Sequence, residues 1–383
     1  MARISTLVVG GGIGGLSLAR ELAIRDMPVT VLEKAPRIAP IGAGIIMNPN
    51  AMRVLERNGL AESLRGDAWS YLRRETCDRH GKVLAVRDYR PLYDSGKLSP
   101  GALVHRAHLL DVLYGGVPEG VVRFGAAVRK VEISLEKTKI TTETGEVFEA
   151  DLLVGADGIR SQVRRQLFGE FEPLYMGYRS HRMVVDSHPR VRDFTELLGR
   201  GQRIGLVPIS EKRLYIWTTF NSPRDSVPIL ESADQFRAMF SQFTDARVRE
   251  IFSRLRTVDG IISTDIEEIR LDRWVQGRVA LLGDAVHAMT PNIGQGAGMA
   301  MEDAAVLAEE LARAPRLEEA LENYAGRRKP RVGTVMRISR EVGDEGQQTN
   351  PIACWLRNRR IRRAGRNEAK AQADLERLLA FPG

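Results

Sequence analysis

The 383-residue chain has only two cysteines, Cys77 and Cys354, far apart in the sequence. Two unclustered thiols give neither a disulfide framework nor a zinc site, and they suit a reducing cytoplasm. The six histidines are scattered, without a close Cys or carboxylate cluster, so no metal site is expected. Long apolar runs are missing too. No stretch approaches the length of a transmembrane helix, and Ile4 to Val9 is too short, and too soon followed by glycines, to be a signal peptide. There is no low-complexity tract and no internal repeat. These absences exclude a disulfide-stapled scaffold, a zinc enzyme, a helical membrane protein and a repeat array.

What is present is an ordinary globular composition, 43% hydrophobic and 28% charged, over a length that suits two domains or one large one with insertions. The formal charge is +8, and much of the excess lies at Arg357, Arg359, Arg360, Arg362, Arg363 and Arg366. Beside Trp355 and Leu356 such a run could rest on nucleic acid or on an anionic membrane surface. No aromatic-interleaved nucleic-acid motif accompanies it, so the sequence alone favours a solvated helix face. The expected partners are small molecules, with no nucleic acid and no membrane contact, in a monomer or homodimer.

The informative segment comes first. Leu7 to Val9 form a short apolar run ending at glycine, which predicts a buried parallel strand. From Gly14 to Arg25, Leu16, Leu18, Ala19, Leu22 and Ala23 recur at helical spacing; Pro28 breaks the helix, and Val29 to Leu32 read as the next strand. Gly10-x-Gly12-x-x-Gly15 therefore sits at the first turn of a βαβ unit. Glycine is needed there for the tight turn, for the approach of a pyrophosphate and for helix–strand packing. The helix start offers free N–H groups and a positive dipole end to phosphate. Glu33 ends the second strand, where an acid accepts ribose hydroxyls. This motif marks a dinucleotide and leaves FAD and NAD open.

Further along, Asn50 to Asn58 reads as a short helix, and residues 69–99, rich in charge and turn residues, as an excursion from the dinucleotide domain. A helix from Arg106, strands Ala127 to Leu135 and Lys137 to Thr144, and a buried strand Asp151 to Val154 follow. Between 173 and 269, Arg182 to Val185, Gln202 to Val207 and Arg213 to Thr219 read as antiparallel strands, and Ala233 to Leu255 as one or two helices. Trp274 to Leu282 returns to a buried strand. Met299 to Ala312, Leu317 to Lys329 and Ile352 to Leu379 read as helices.

Asp284 follows the buried strand, where a carboxylate faces the ligand crevice and can accept hydrogen bonds from a sugar alcohol. Pro291 to Gly298 form a second glycine-rich helix start, able to stabilise charge on an electron-accepting ring. A long ligand with a pyrophosphate at one end and a polyol-linked ring at the other suits this set. FAD fits that description, although the distinction from NAD is not forced.

The three motifs, Gly10 to Gly15, Gly155-Ala156-Asp157-Gly158 and Gly283-Asp284, together resemble the FAD-dependent aromatic hydroxylases, single-component flavin monooxygenases related to para-hydroxybenzoate, salicylate and urate hydroxylases, over about residues 3–345. The resemblance implies FAD contacts at Gly10, Gly12, Gly14 and Gly15; at Glu33 and Lys34 beside the adenosine ribose; at Gly44, Arg106 and Val128; at Asp157, linked to both FAD and NAD(P)H; at Asp284 on the ribityl chain; and at Gly294, Gln295, Gly296, Ala297 and Gly298 under the flavin, with Pro291 against the ring. Two features depart from the family pattern: Gly298 stands where many relatives carry Asn, and Gly177 to Arg182 replaces a commoner Trp-Arg-Gly segment.

The implied fold is α/β. A Rossmann-like FAD-binding domain is drawn from residues 1–72, 100–172 and 270–345. A second domain on a mostly antiparallel sheet comes from 73–99 and 173–269, and a helical segment spans 346–383. The implied activity is NAD(P)H- and O2-dependent hydroxylation of an aromatic or heteroaromatic molecule through a flavin C4a-hydroperoxide, with NADH or NADPH as co-substrate. Substrate-side candidates are Arg182, Tyr178, Tyr215 and Trp217, because alternating residues of the second sheet should face the flavin. His287 reads as structural. The alternatives are a flavin-dependent halogenase or reductase, and a redox-sensing dinucleotide-binding protein without turnover. The halogenase would need a Trp-x-Trp-x-Ile-Pro segment where the chain has Leu214-Tyr215-Ile216-Trp217.

Overall fold

The structure, a computed structural model, describes residues 4–38, 42–224 and 230–381. Its centre is a six-stranded sheet in the spatial order Val275–Gln276, Val279–Leu281, Leu152–Gly155, Thr6–Val9, Val29–Glu33, Val122–Phe124. All neighbours are parallel except the first pair. Parallel pairing buries both faces at the centre of the sheet, which is why Leu7–Val9, Leu152–Val154 and Val279–Leu281 read as unbroken apolar runs. Helix Ile13–Ala23 packs on one face against the 18-residue helix Gly296–Arg313, whose Met299, Met301, Ala304, Ala305 and Ala308 are buried.

A second sheet of seven strands runs in the order Ile262–Glu268, Leu174–Asp186, Arg213–Asn221, Gln202–Pro208, Phe194–Leu198, Arg73–Asp78, Val83–Asp88. It is antiparallel but for the pair Phe194–Leu198 and Arg73–Asp78. One face carries Met183, Ile204, Leu206 and Ile216 against the helices Ala233–Met239 and Ala246–Ser253. The other face, with Tyr215 and Val207, meets a three-stranded sheet of Gly44–Met47, Gly101–His105 and Trp69–Tyr71. A second small sheet joins Val128–Ile133, Thr138–Thr142 and Val147–Ala150.

The strand expected at Arg182 to Val185 starts earlier and spans Leu174–Asp186, and three further element boundaries differ from expectation. Trp274 to Leu282 is not one strand but a tight hairpin, because Gly277 takes a positive φ of 54° between its halves. The helix from Leu317 runs through Pro330 to Gly346. Proline removes one helical N–H, but Val332, Val335 and Met336 beyond it are buried in the main core and hold the axis. The last helical stretch is broken at Gly365 into Pro351–Ala364 and Glu368–Leu379, the second capped by the Asn367 side chain.

Candidate active site

A cavity of about 1440 Å³ opens between the two large sheets. At one end lies the turn after Thr6–Val9. Gly10 has φ of 106°, and a Cβ there would stand 2.5 Å from the carbonyl oxygen of Ala156. A Cβ on Gly14 would meet Leu282 at 2.5 Å, and one on Gly15 would meet the Gly10 oxygen at 1.9 Å. These glycines serve protein packing. Gly12 differs: its φ is −79° and a Cβ would meet no protein atom within 4 Å. The space beside it is left for something outside the chain, at the free N–H end of the helix.

Glu33 lines the same end. Its carboxylate accepts from the backbone N–H of Gly11 at 2.6 Å and of Ala35 at 2.8 Å, so it fixes the glycine loop and still has lone pairs to spare. Lys34, Arg106 and Val128 also line the cavity. Burial lowers the Arg106 pKa, with Asp284 opposing and Arg182 adding to that shift.

Asp157 borders the cavity, yet its carboxylate is occupied. It accepts from Ser161 Oγ at 2.5 Å and from the N–H groups of Gln162 at 2.6 Å and Val163 at 3.2 Å, capping the helix Gln162–Leu167. Arg164, buried, ties this loop to the Asp284 segment by donating to the carbonyls of Ala285 at 2.8 Å and Ile159 at 2.6 Å.

Asp284 is the contrary case. It is exposed to the cavity, and among the described residues no protein hydrogen bond reaches its carboxylate. The surrounding protein pushes its pKa up by desolvation, while His287 and Arg106 pull it down. Its position is set from behind. Asp303 Oδ2 accepts from the Gly283 N–H at 3.0 Å and bonds His287 Nε2 at 2.5 Å. Arg328 bridges Asp303 and Glu302 at 2.7 and 2.6 Å, and Glu302 accepts from Asn50 at 2.7 Å. Asp303, Glu302, Arg328 and His287 are all buried, so this charged lattice fixes the loop that presents Asp284.

The second glycine-rich segment is pinned similarly. Asn292 donates to the Ser339 carbonyl at 2.8 Å, and Asn48 donates to the Gly294 carbonyl at 2.8 Å. Pro291, Gly294, Gly296 and Ala297 line the cavity. Gln295 and Gly298 do not. The Gln295 side chain is buried against Asn50 at 2.9 Å, and a Cβ on Gly298 would meet Asn50 at 2.8 Å.

The opposite wall is the seven-stranded sheet. Register places Arg182 beside Trp217, and Trp217 beside Gly205. Alternation puts Ser180, Arg182, Tyr215, Trp217, Thr219 and Arg203 on the cavity face. Arg182 joins no ion pair among the described residues, and the Tyr215 hydroxyl has no protein partner there. Burial raises the Tyr215 pKa, so it stays a neutral donor. Trp217 lies over Gly205, where a Cβ would fall 2.1 Å from the indole. Tyr178 is buried away from the cavity, accepting from Asn292 Nδ2 at 3.0 Å. Arg203 escaped sequence reading. It is buried, pairs with Glu196 at 3.2 Å and stacks on Trp217 at 5.4 Å. The one available signal was a cation inside an otherwise apolar strand.

Residues 3–339 match the family model described as the FAD binding domain. The chain is 34% identical over 379 residues to aurachin C monooxygenase/isomerase of Stigmatella aurantiaca, covering 97% of this chain and 98% of that protein. It is 32% identical to the 2-heptyl-3-hydroxy-4(1H)-quinolone synthase of Pseudomonas aeruginosa, covering 94% of each. Among solved structures, Klebsiella pneumoniae HpxO complexed with FAD and uric acid superposes with a TM-score of 0.88 at 26% identity, over 99% of this chain and 98% of that one. The chain belongs to the FAD-dependent aromatic hydroxylases.

The site fits the cofactor of this monooxygenase family. The open side of Gly12, two helix starts at the cavity and an unpartnered Asp284 between them match a dinucleotide with a polyol-linked ring. The volume exceeds the roughly 300–1,000 Å³ of a usual ligand pocket, leaving room for a second molecule. Among the described residues no group of His, Cys, Asp and Glu could hold a metal ion, and no helix is long and apolar enough to cross a membrane.

Proposed function

We propose that the substrate of this monooxygenase is a flat, oxygen-bearing nitrogen heteroaromatic held in its acidic tautomer or anion. The observation that carries this is Arg182: a cation without an ion pair among the described residues, paired in register with Trp217 and lining the same cavity wall as Tyr215. The names of two relatives support it, one a quinolone synthase and one bound to uric acid. Bound FAD, reduced by NADH or NADPH, supplies the activation of O2 and the oxygen transfer.

The chain's own groups do the rest. Gly10 to Gly15, Glu33, Lys34 and Val128, the last by its backbone at the adenine, hold the adenosine diphosphate end; Gly44, Arg106, Asp157 and Asp284 line the middle; Pro291, Gly294, Gly296 and Ala297 hold the ring end, with Gln295 and Gly298 packed behind them on Asn50. Arg182 draws electron density onto the substrate oxygen, favouring its deprotonated, more nucleophilic form. Tyr215 donates to a second acceptor, and Trp217 stacks on the ring. Residues 73–99 and 173–269 act as the cover that excludes water, over the FAD-binding residues 1–72, 100–172 and 270–345. The enzyme is a cytoplasmic monomer or homodimer.

The test is NAD(P)H oxidation by the FAD-loaded enzyme with hydroxyquinolines, purines, phenols and polyketide rings, with product mass from labelled O2. Arg182→Met should raise KM for an acidic hydroxyquinoline and shift consumed NAD(P)H towards hydrogen peroxide, while FAD stays bound. Arg182→Lys should restore part of the coupling. Equal response to neutral and acidic rings would overturn the assignment.

A further inference from the structure

The helix Pro351–Ala364 lies beyond the residues matched to the FAD-binding family, and its outer face is unusual. Ile352, Trp355 and Leu356 are 69%, 56% and 52% exposed. Together with Arg359 and Arg363 they follow the spacing of one helical stripe. The inner face is firmly seated: Cys354 and Arg357 are buried, and Arg357 donates to the carbonyls of Gly199 at 3.1 Å and Gly346 at 3.4 Å. The exposed stripe is therefore not a surface that this helix buries against its own protein.

Its charge is one-sided. Residues 351–366 carry six arginines and no Asp or Glu. Arg359, Arg363 and Arg366 are exposed and join no ion pair among the described residues, and Arg360 has only an exposed contact with Glu345 at 2.9 Å. Arg359 rests over the Trp355 ring at 5.5 Å, so cation and aromatic are presented together.

We propose that this face docks on an anionic lipid surface, with Ile352, Trp355 and Leu356 inserted and the arginines against the headgroups. A seated helix with an apolar stripe, an interfacial tryptophan and unpaired arginines is the arrangement that binds such a surface in its plane. A second copy of the chain on the same face would bring two sets of unpaired arginines together. A nucleic acid would use the arginines but leave three large apolar side chains without a role, since its affinity comes from phosphate contacts. The sequence alone favours a solvated face; exposure of all three apolar residues is what changes that reading.

The experiment is flotation of the FAD-loaded enzyme with vesicles of phosphatidylcholine alone and of phosphatidylcholine mixed with phosphatidylglycerol. The wild type should float with the mixed vesicles only, and less so at high salt. Trp355 fluorescence should be quenched by brominated lipid. Each of Arg359→Gln and Arg363→Gln should weaken partition by roughly fivefold. Trp355→Ser with Leu356→Ser should abolish quenching and insertion. All variants should keep FAD and wild-type turnover, showing that the fold is intact. The proposal is overturned if the wild type floats with neither vesicle or equally with both, or if the serine variant still floats as wild type. It is equally overturned if sedimentation shows a dimer that Trp355→Ser dissolves, or if DNA binds with an affinity that the serine variant keeps.

Discussion

Gly44 touches Tyr215 so closely that a Cβ on the glycine would lie 2.3 Å from Cγ of the ring. This contact joins the small sheet beside the cofactor cavity to the seven-stranded wall, and it sets the gap between them. Gly44→Ala should push Tyr215 off its rotamer, at a cost of roughly 1–3 kcal/mol as for overpacked cores. In the FAD-loaded enzyme, kcat/KM for the aromatic substrate should fall and peroxide release rise. Urea melts and product-to-NAD(P)H ratios measure the two effects separately.

The glycines of the first turn should divide by role. Gly15→Ala places a methyl group into the Gly10 carbonyl and should destabilise the apoprotein severely. Gly12→Ala meets no protein atom and has an ordinary φ, so the apoprotein should keep its melting temperature. It should still lose FAD, because the methyl group fills the space reserved for the phosphates. A Gly12→Ala protein that purifies with full FAD would contradict this division.

Asp284→Ala should weaken FAD without unfolding the chain, since no hydrogen bond of the described residues depends on that carboxylate. A hydrogen bond to a charged acceptor contributes about 1.5–3 kcal/mol, so FAD affinity should drop about tenfold to a hundredfold. Titration of apoprotein by flavin fluorescence gives the value. An equal loss in Arg366→Ala would remove the assignment.

His181 offers a pH signature. It is buried beside Phe220, Phe236 and Phe240, with Nδ1 bonded to Ser263 at 2.7 Å. Burial first, and then Arg179, pushes its pKa from 6.5 down to about 4. Between those values the unfolded chain takes up a proton that the folded chain refuses. The contribution is therefore full above pH 6.5 and is lost as pH falls towards 4, by up to about 1.4 kcal/mol per pH unit. Urea midpoints across that range should show the slope, and His181→Asn, which retains a partner for Ser263, should flatten it.

The glycine-rich end of the cavity was legible because its residues act through local geometry: a turn after a strand needs glycine, and a carboxylate at a strand end faces the cavity. Asp284 is read this way. The substrate wall was legible only by parity. Ser180, Arg182 and Tyr178 share one face of their strand, yet Tyr178 stands past the cavity edge, against Asn292 and the close-packed Gly343. Which stretch of a strand lies over a cavity depends on how two sheets stack, and no spacing along the chain encodes that. Arg203, Glu302, Asp303 and Arg328 were hidden for a related reason, since a buried charge looks like a surface one until its partner, on the neighbouring strand for Arg203 and on another helix for Arg328, is brought beside it. Pro330 misleads in the other direction, because core packing overrules the local signal to stop.

The register of the central sheet has a bearing on how the protein is made. Val9 lies opposite Gly155, which in turn lies opposite Leu281. A ribosome has therefore to release well over two-thirds of the polypeptide before the first turn it synthesised finds its last neighbour. Such long-range pairing forms slowly, and the interval exposes an unpaired edge on Leu152–Gly155. Loading of FAD should thus be a late, post-translational event, and free flavin in the refolding buffer should raise the yield of native protein by capturing the sheet once Leu281 has joined it.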